Sequence, residues 1–222
     1  MKKYSKLKKL VGLFRILSHG ISVVFHPLLL PTYIFLLIGY FSPLSIAPLN
    51  TLEGRRFLIG LIFLSTFFLP FLLLALYIMI QNTRWTMKSF LLENSKERVF
   101  PFLIIGTFYS VLIYFIHLTP QFNDVILIVM SCVTVAILLV AIISNFWKVS
   151  AHAVGVSGMI ALLAAINNKI PDSTLFYPLT IMIVLAGCLM SARLYLNAHN
   201  PSQILGGTVL GLLVGGFSYI FL

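Results

Sequence analysis

Acidic side chains are almost missing. The 222 residues hold 5 Asp and Glu against 15 Lys and Arg, and charged residues of both signs make up only 9%. So few charges cannot solvate the surface of a water-soluble domain of this length. Cysteine is nearly absent too. Cys132 and Cys188 both fall inside apolar runs, which excludes a disulfide framework and leads us to expect buried free thiols. Neither a carboxylate-rich nor a Cys/His ligand set of convincing spacing exists, so no metal and no other cofactor is expected. The apolar runs are continuous rather than alternating, which excludes a barrel. A cleavable signal pattern is also missing, because the basic start leads into a helix that reads as retained.

Apolar residues fill the space left by charge. Hydrophobic residues make up 60% of the chain and the mean hydropathy is +1.06. Repeated runs approach the length needed to cross ~30 Å of hydrocarbon. In lipid every span must satisfy its own backbone polar groups, so the expected fold is an all-α polytopic transmembrane bundle of about seven spans. A formal charge of +10 would suggest nucleic acid in a soluble protein. Here the basic residues gather in the non-membrane pieces, where they can meet lipid headgroups or phosphorylated substrates, and no nucleic-acid partner is expected.

Two regions are expected, a basic amphipathic segment over 1–19 and a transmembrane domain over 20–222. The first holds Lys2, Lys3, Lys6, Lys8, Lys9 and Arg15 among Leu7, Leu10, Leu13, Phe14 and Leu17. It suits an anionic membrane surface, and equally a plain positive-inside anchor. The first span, about 20–41, contains His26-Pro27 and Pro31 and should be kinked or start irregularly. His26 there is read as capping local backbone in preference to a functional role. Further spans are expected at about 57–80, 102–117, 124–146, 152–167, 174–191 and 203–222. Between the second and third lies a polar stretch from Gln81 to Arg98. Trp147 and Lys148 mark an interface, and Gly207, Gly211 and Gly215 recur every four residues as a helix-packing stripe.

Counting crossings brings three polar clusters to one side of the bilayer: the end of the 81–98 stretch, Ser150 with His152, and Arg193 with His199. Pro201 fits a first helical position with Asn200 as cap, so a helix would aim its free N–H groups and positive end at whatever His199 faces. An arginine fork, a histidine and a helix start suit a phosphate. Ser150 as a helix cap and an Asn200–Gln203 capping box are the purely structural alternatives.

These residues carry a resemblance to the type-2 phosphatidic acid phosphatase superfamily, the membrane phosphatases related to vanadium haloperoxidases. Arg193-x5-His199 keeps the spacing of the third signature, Ser-Arg-x5-His-x3-Asp. Ala192 separates Ser191 from the arginine, and Gln203 stands where the family has the aspartate that orients its nucleophile. Val149-Ser150-Ala151-His152 is similar to Pro-Ser-Gly-His. The first signature, Lys-x6-Arg-Pro, is met loosely by Arg98, with Pro101 three residues on and Lys96 the second candidate cation. The resemblance implies that His199 is the nucleophile and His152 the general acid, with phosphate bound by Ser150, Arg193, Arg98 and Lys96. Gln203, Glu97 or Glu93 would replace the missing orienter. The implied activity is hydrolysis of a lipid phosphate or isoprenoid (di)phosphate through a phosphohistidine, with lipid phosphate and membrane lipids as partners. The alternatives are a relative that only binds or moves anionic lipid and a structural membrane subunit. Of the 15 Lys and Arg, three lie on the opposite face (Arg55, Arg56, Lys169). The positive-inside rule therefore puts the N-terminus and the site in the cytoplasm, at a bacterial inner (cell) membrane.

Overall fold

The computed structural model describes residues 2–80, 98–170 and 174–222, and every regular element among them is helical. In chain order these are α1 (Lys2–Val24), α2 (Leu30–Phe41), α3 (Leu52–Phe63), a π turn (Leu64–Phe68) running into α4 (Leu69–Ile80), α5 (Val99–Leu118), α6 (Asp124–Ser144), α7 (Ala151–Lys169), α8 (Phe176–Tyr195) and α9 (Pro201–Phe217). Six of the described helices are long and apolar enough to cross a bilayer, counting α3–α4 as one. The protein is an all-helical integral membrane bundle.

The expected first span is two pieces. Pro27 has no N–H to continue α1 and Pro31 starts α2, so the chain turns between them. His26 donates its N–H to the Val23 carbonyl at 3.2 Å, Leu29 donates to the His26 carbonyl at 2.8 Å, and Tyr33 Oη caps the Val24 carbonyl at 2.9 Å. With 12 residues, α2 reaches only ~18 Å at 1.5 Å per residue, short of the hydrocarbon thickness. The second proline-bearing helix solves its problem differently. Pro70 has no N–H for the carbonyl four residues back, that of Thr66, and Tyr109 Oη on α5 donates to it at 2.5 Å.

The centre of the bundle is α7: 56% of its spanning window is buried, against 28–33% in the other five. The glycine stripe explains this. A Cβ on Gly207 would sit 2.8 Å from the Ser150 carbonyl oxygen, and one on Gly211 would overlap the Val154 carbonyl and the Ser157 hydroxyl. Backbone therefore meets backbone along the α7–α9 seam. Around it Phe35 and Ile38 of α2, Leu58 and Ile62 of α3, and Ile126 and Met130 of α6 are fully buried. The outward faces carry exposed apolar side chains such as Phe115, Ile183 and Leu213, as a lipid-facing surface requires. The thiols depart from the expectation of burial: Cys132 is half-buried, and Cys188 is exposed on α8, where lipid accepts a thiol as readily as a protein core.

Candidate active site

The Arg193-x5-His199 spacing has a local cause. At the end of α8, the Ala198 N–H bonds the Arg193 carbonyl (3.1 Å) and the Asn197 N–H bonds that of Leu194 (2.9 Å). Asn197 is left-handed, with φ 51°. This is a Schellman cap with asparagine in the position that favours glycine. The chain reverses in a few residues, so that His199, two beyond Asn197, lines the same cavity as Arg193.

α9 starts immediately afterwards, with Pro201 at its first position and Asn200 as cap. Asn200 Oδ1 accepts the Gln203 N–H at 2.9 Å, and Gln203 Oε1 accepts the Asn200 N–H at 3.2 Å. The same Oε1 lies 3.1 Å from His199 Nδ1. A backbone N–H on Oε1 identifies that atom as the acceptor oxygen, so Nδ1 must carry the hydrogen that points at it. The Nε2 lone pair of His199 is then free. The capping box and the orienter, which the sequence offered as alternatives, are one arrangement.

Ser150 caps α7, its Oγ accepting the Ala153 N–H at 3.4 Å, while its own N–H bonds the Gln203 carbonyl at 3.2 Å. Two helix starts are thereby pinned together. The Ser150 side chain is buried under the wall and does not line the cavity, which departs from the phosphate-binding role the resemblance implies. His152 does line it, and its Nε2 lies 3.1 Å from the Ser22 carbonyl of α1. A carbonyl can only accept, so this nitrogen carries a hydrogen.

Arg98, His152, Arg193 and His199 all border one cavity of about 450 Å³, and all four are buried. No described residue lining it is acidic. Arg193 Nε is buried without a hydrogen-bond partner. Burial first, then the Arg98 and Arg193 guanidinium charges, hold the His199 imidazole down to about 4, with Lys148 adding to them and the Gln203 bond opposing. His199 is therefore neutral near pH 7. Away from this polar end the wall turns apolar, through Leu30, Phe102, Ile137, Met159 and Leu162. From His152 to Leu162 along α7 is ten residues, a depth of ~15 Å. Lys96, Glu97 and Glu93 lie outside the described residues.

Two features escaped the sequence reading. His26 does what was expected, its Nδ1 accepting the Leu28 N–H at 3.3 Å, but its ring also borders the cavity, edge-on to His152 with centroids 6.0 Å apart. His19 and Ser22 of α1 line the cavity as well. Their spacing, i, i+3 and i+7, was the available signal.

These features define a helical membrane protein with buried arginine and histidine side chains at one end of an apolar cavity. Residues 144–222 match the PAP2 superfamily. The match covers the last 79 of the 222 residues, and members of that superfamily are phosphatases acting on phosphate esters. No curated protein matches the chain, nor does any solved structure. The matched segment contains Ser150, His152, Arg193, His199 and Gln203, while Arg98, His26 and the whole of α1 lie before it.

Proposed function

We propose that the protein hydrolyses a lipid phosphate, or an isoprenoid phosphate or diphosphate, through a phosphohistidine on His199. The observation that carries this is the unpartnered Arg193 Nε beside a neutral His199 with a free Nε2, in a cavity whose described lining has no carboxylate. A phosphoryl group supplies the missing negative charge, and the apolar wall takes the tail, so that binding the tail orients the head.

His199 Nε2 forms a bond to phosphorus as the bond from phosphorus to the leaving oxygen breaks. The guanidinium groups of Arg193 and Arg98 balance the charge gathering on the phosphoryl oxygens. The proton for the departing oxygen arrives on the substrate's phosphate monoanion and is relayed through His152. Because Ser22 holds its Nε2–H, the nitrogen that serves the leaving group is Nδ1. Water then attacks the phosphohistidine as the nitrogen–phosphorus bond breaks, and its proton, taken by His152 Nδ1, leaves with the phosphate, so that both histidines return to their starting state. Gln203 performs the orienting task that the family gives to aspartate, with a dipole in place of a charge.

A purified sample releasing inorganic phosphate from phosphatidic acid, phosphatidylglycerol phosphate or a polyprenyl diphosphate tests this. His199→Ala should abolish release. The uncharged Gln203 favours a second reading, in which the protein binds or moves anionic lipid; tight binding of those lipids with no release by the wild type would establish it. We place the site on the cytoplasmic side of a cell membrane from the charge bias, and an impermeant thiol reagent acting on Asn94→Cys in sealed cells would contradict that.

A further inference from the structure

We infer that His26, in the break between α1 and α2, is a direct ligand of the bound phosphoryl group, donating Nε2–H to one of its oxygens beside His152. The inference rests on the phosphoryl-site reading above and adds a contact from outside the segment that matches the family.

The geometry supplies the reasons. Pro27 lies three residues past Val24, the end of α1, and the turn there places the His26 ring on the cavity. Its Nδ1 receives the Leu28 N–H. A nitrogen that accepts cannot carry the hydrogen in a neutral imidazole, so the hydrogen is on Nε2. Nε2–H is then the ring's remaining polar group. The ring meets His152 edge to face, at 82° and 6.0 Å, and Arg193 borders the same space. A backbone-capping role uses one nitrogen only, and no described residue lining the cavity offers a carboxylate to the other. An anion oxygen in reach of Arg193 gives that donor its acceptor.

The two nitrogens can be separated by substitution. Asparagine places its amide oxygen near the Nδ1 position and keeps the acceptor for Leu28, but has nothing at Nε2. Glutamine places its amide N–H near Nε2 and gives up the local acceptor. Binding of inorganic phosphate to the detergent-solubilised full chain is measured by calorimetry, with the thermal midpoint of each variant as the check on folding. His26→Asn should weaken phosphate binding about tenfold or more, the loss of one hydrogen bond to a charged group, while His26→Gln stays within about threefold of wild type. Wild-type affinity in His26→Asn would overturn the inference. So would an equal loss in both variants, which a capping role predicts, or an absence of phosphate binding by the wild type. Phosphate binding without release from any lipid phosphate would sink the hydrolase reading and leave this one standing. Release by the wild type with undiminished binding in His26→Asn would do the reverse.

Discussion

Gln203 is one side chain with two obligations, and both are met by the same oxygen. Its Oε1 takes the Asn200 N–H and the His199 Nδ1–H, so the start of α9 and the tautomer of the proposed nucleophile are set together. Because glutamine is uncharged, nothing there stabilises an imidazolium, and the guanidinium groups of Arg98 and Arg193, with Lys148, oppose one. His199 must be neutral to attack. With its pKa held to about 4, the acidic limb of kcat/KM for the free enzyme should have its midpoint near pH 4, activity falling as the ring takes up a proton. Gln203→Glu places a carboxylate on Nδ1, favours the imidazolium and raises that pKa. The limb should then move up by a unit or more. A pH profile of phosphate release that is the same in both proteins would refute the orienting role.

At the scale of elements, the site depends on how closely α7 and α9 approach. Gly211 faces the Val154 carbonyl and the Gly158 backbone with no room for a methyl group, whereas Gly216, one residue beyond the stripe, has nothing within 4 Å of its would-be Cβ. Gly211→Val should lower stability by about 1–3 kcal/mol, because overpacking must push the helices apart. It should also reduce phosphate release, since the bond from the Ser150 N–H to the Gln203 carbonyl spans the same seam. Gly216→Val should change the thermal midpoint little. Equal effects of the two substitutions, read by thermal aggregation in detergent, would mean that the seam is not close-packed.

At the scale of the whole molecule, the cavity joins pieces far apart in the chain: α1 and its break, the start of α5, the middle of α6, and all three helices of the matched segment. On the proposed function its polar end would hold the phosphoryl group and its apolar wall the tail, so substrate length would be read by depth. Ala136 on α6 lines this wall, eight residues and ~12 Å from the helix end at Ser144. Ala136→Phe should lower kcat/KM for a long-chain lipid phosphate about tenfold or more, and leave a short-chain, water-soluble phosphate ester nearly unaffected. A uniform loss across chain lengths would show that the tail lies elsewhere.

The spans from α3 to α9 were legible because continuous apolar runs between polar turns leave the backbone no alternative to helix in lipid. Crossing parity brought the loops of Arg98, His152, Arg193 and His199 to one face, and the signature resemblance singled those four residues out. The break at Pro27 was anticipated only as a kink. A proline states that a helix cannot continue, but the direction taken by the chain afterwards depends on what α2 packs against. For the same reason sequence could assign His26 its local partner and not its distant one: the Leu28 N–H is two residues away, while the His152 ring is reached only through the packing of α1 against the bundle. Ser150 runs the other way, since its motif suggested a ligand and the fold used its hydroxyl as a helix cap. Composition and periodicity thus determined the class of fold and the chemistry available at one membrane face. Tertiary packing alone decided which of those groups share the cavity, because hydrogen bonds and shape complementarity between helices are properties of pairs that no single stretch of chain contains.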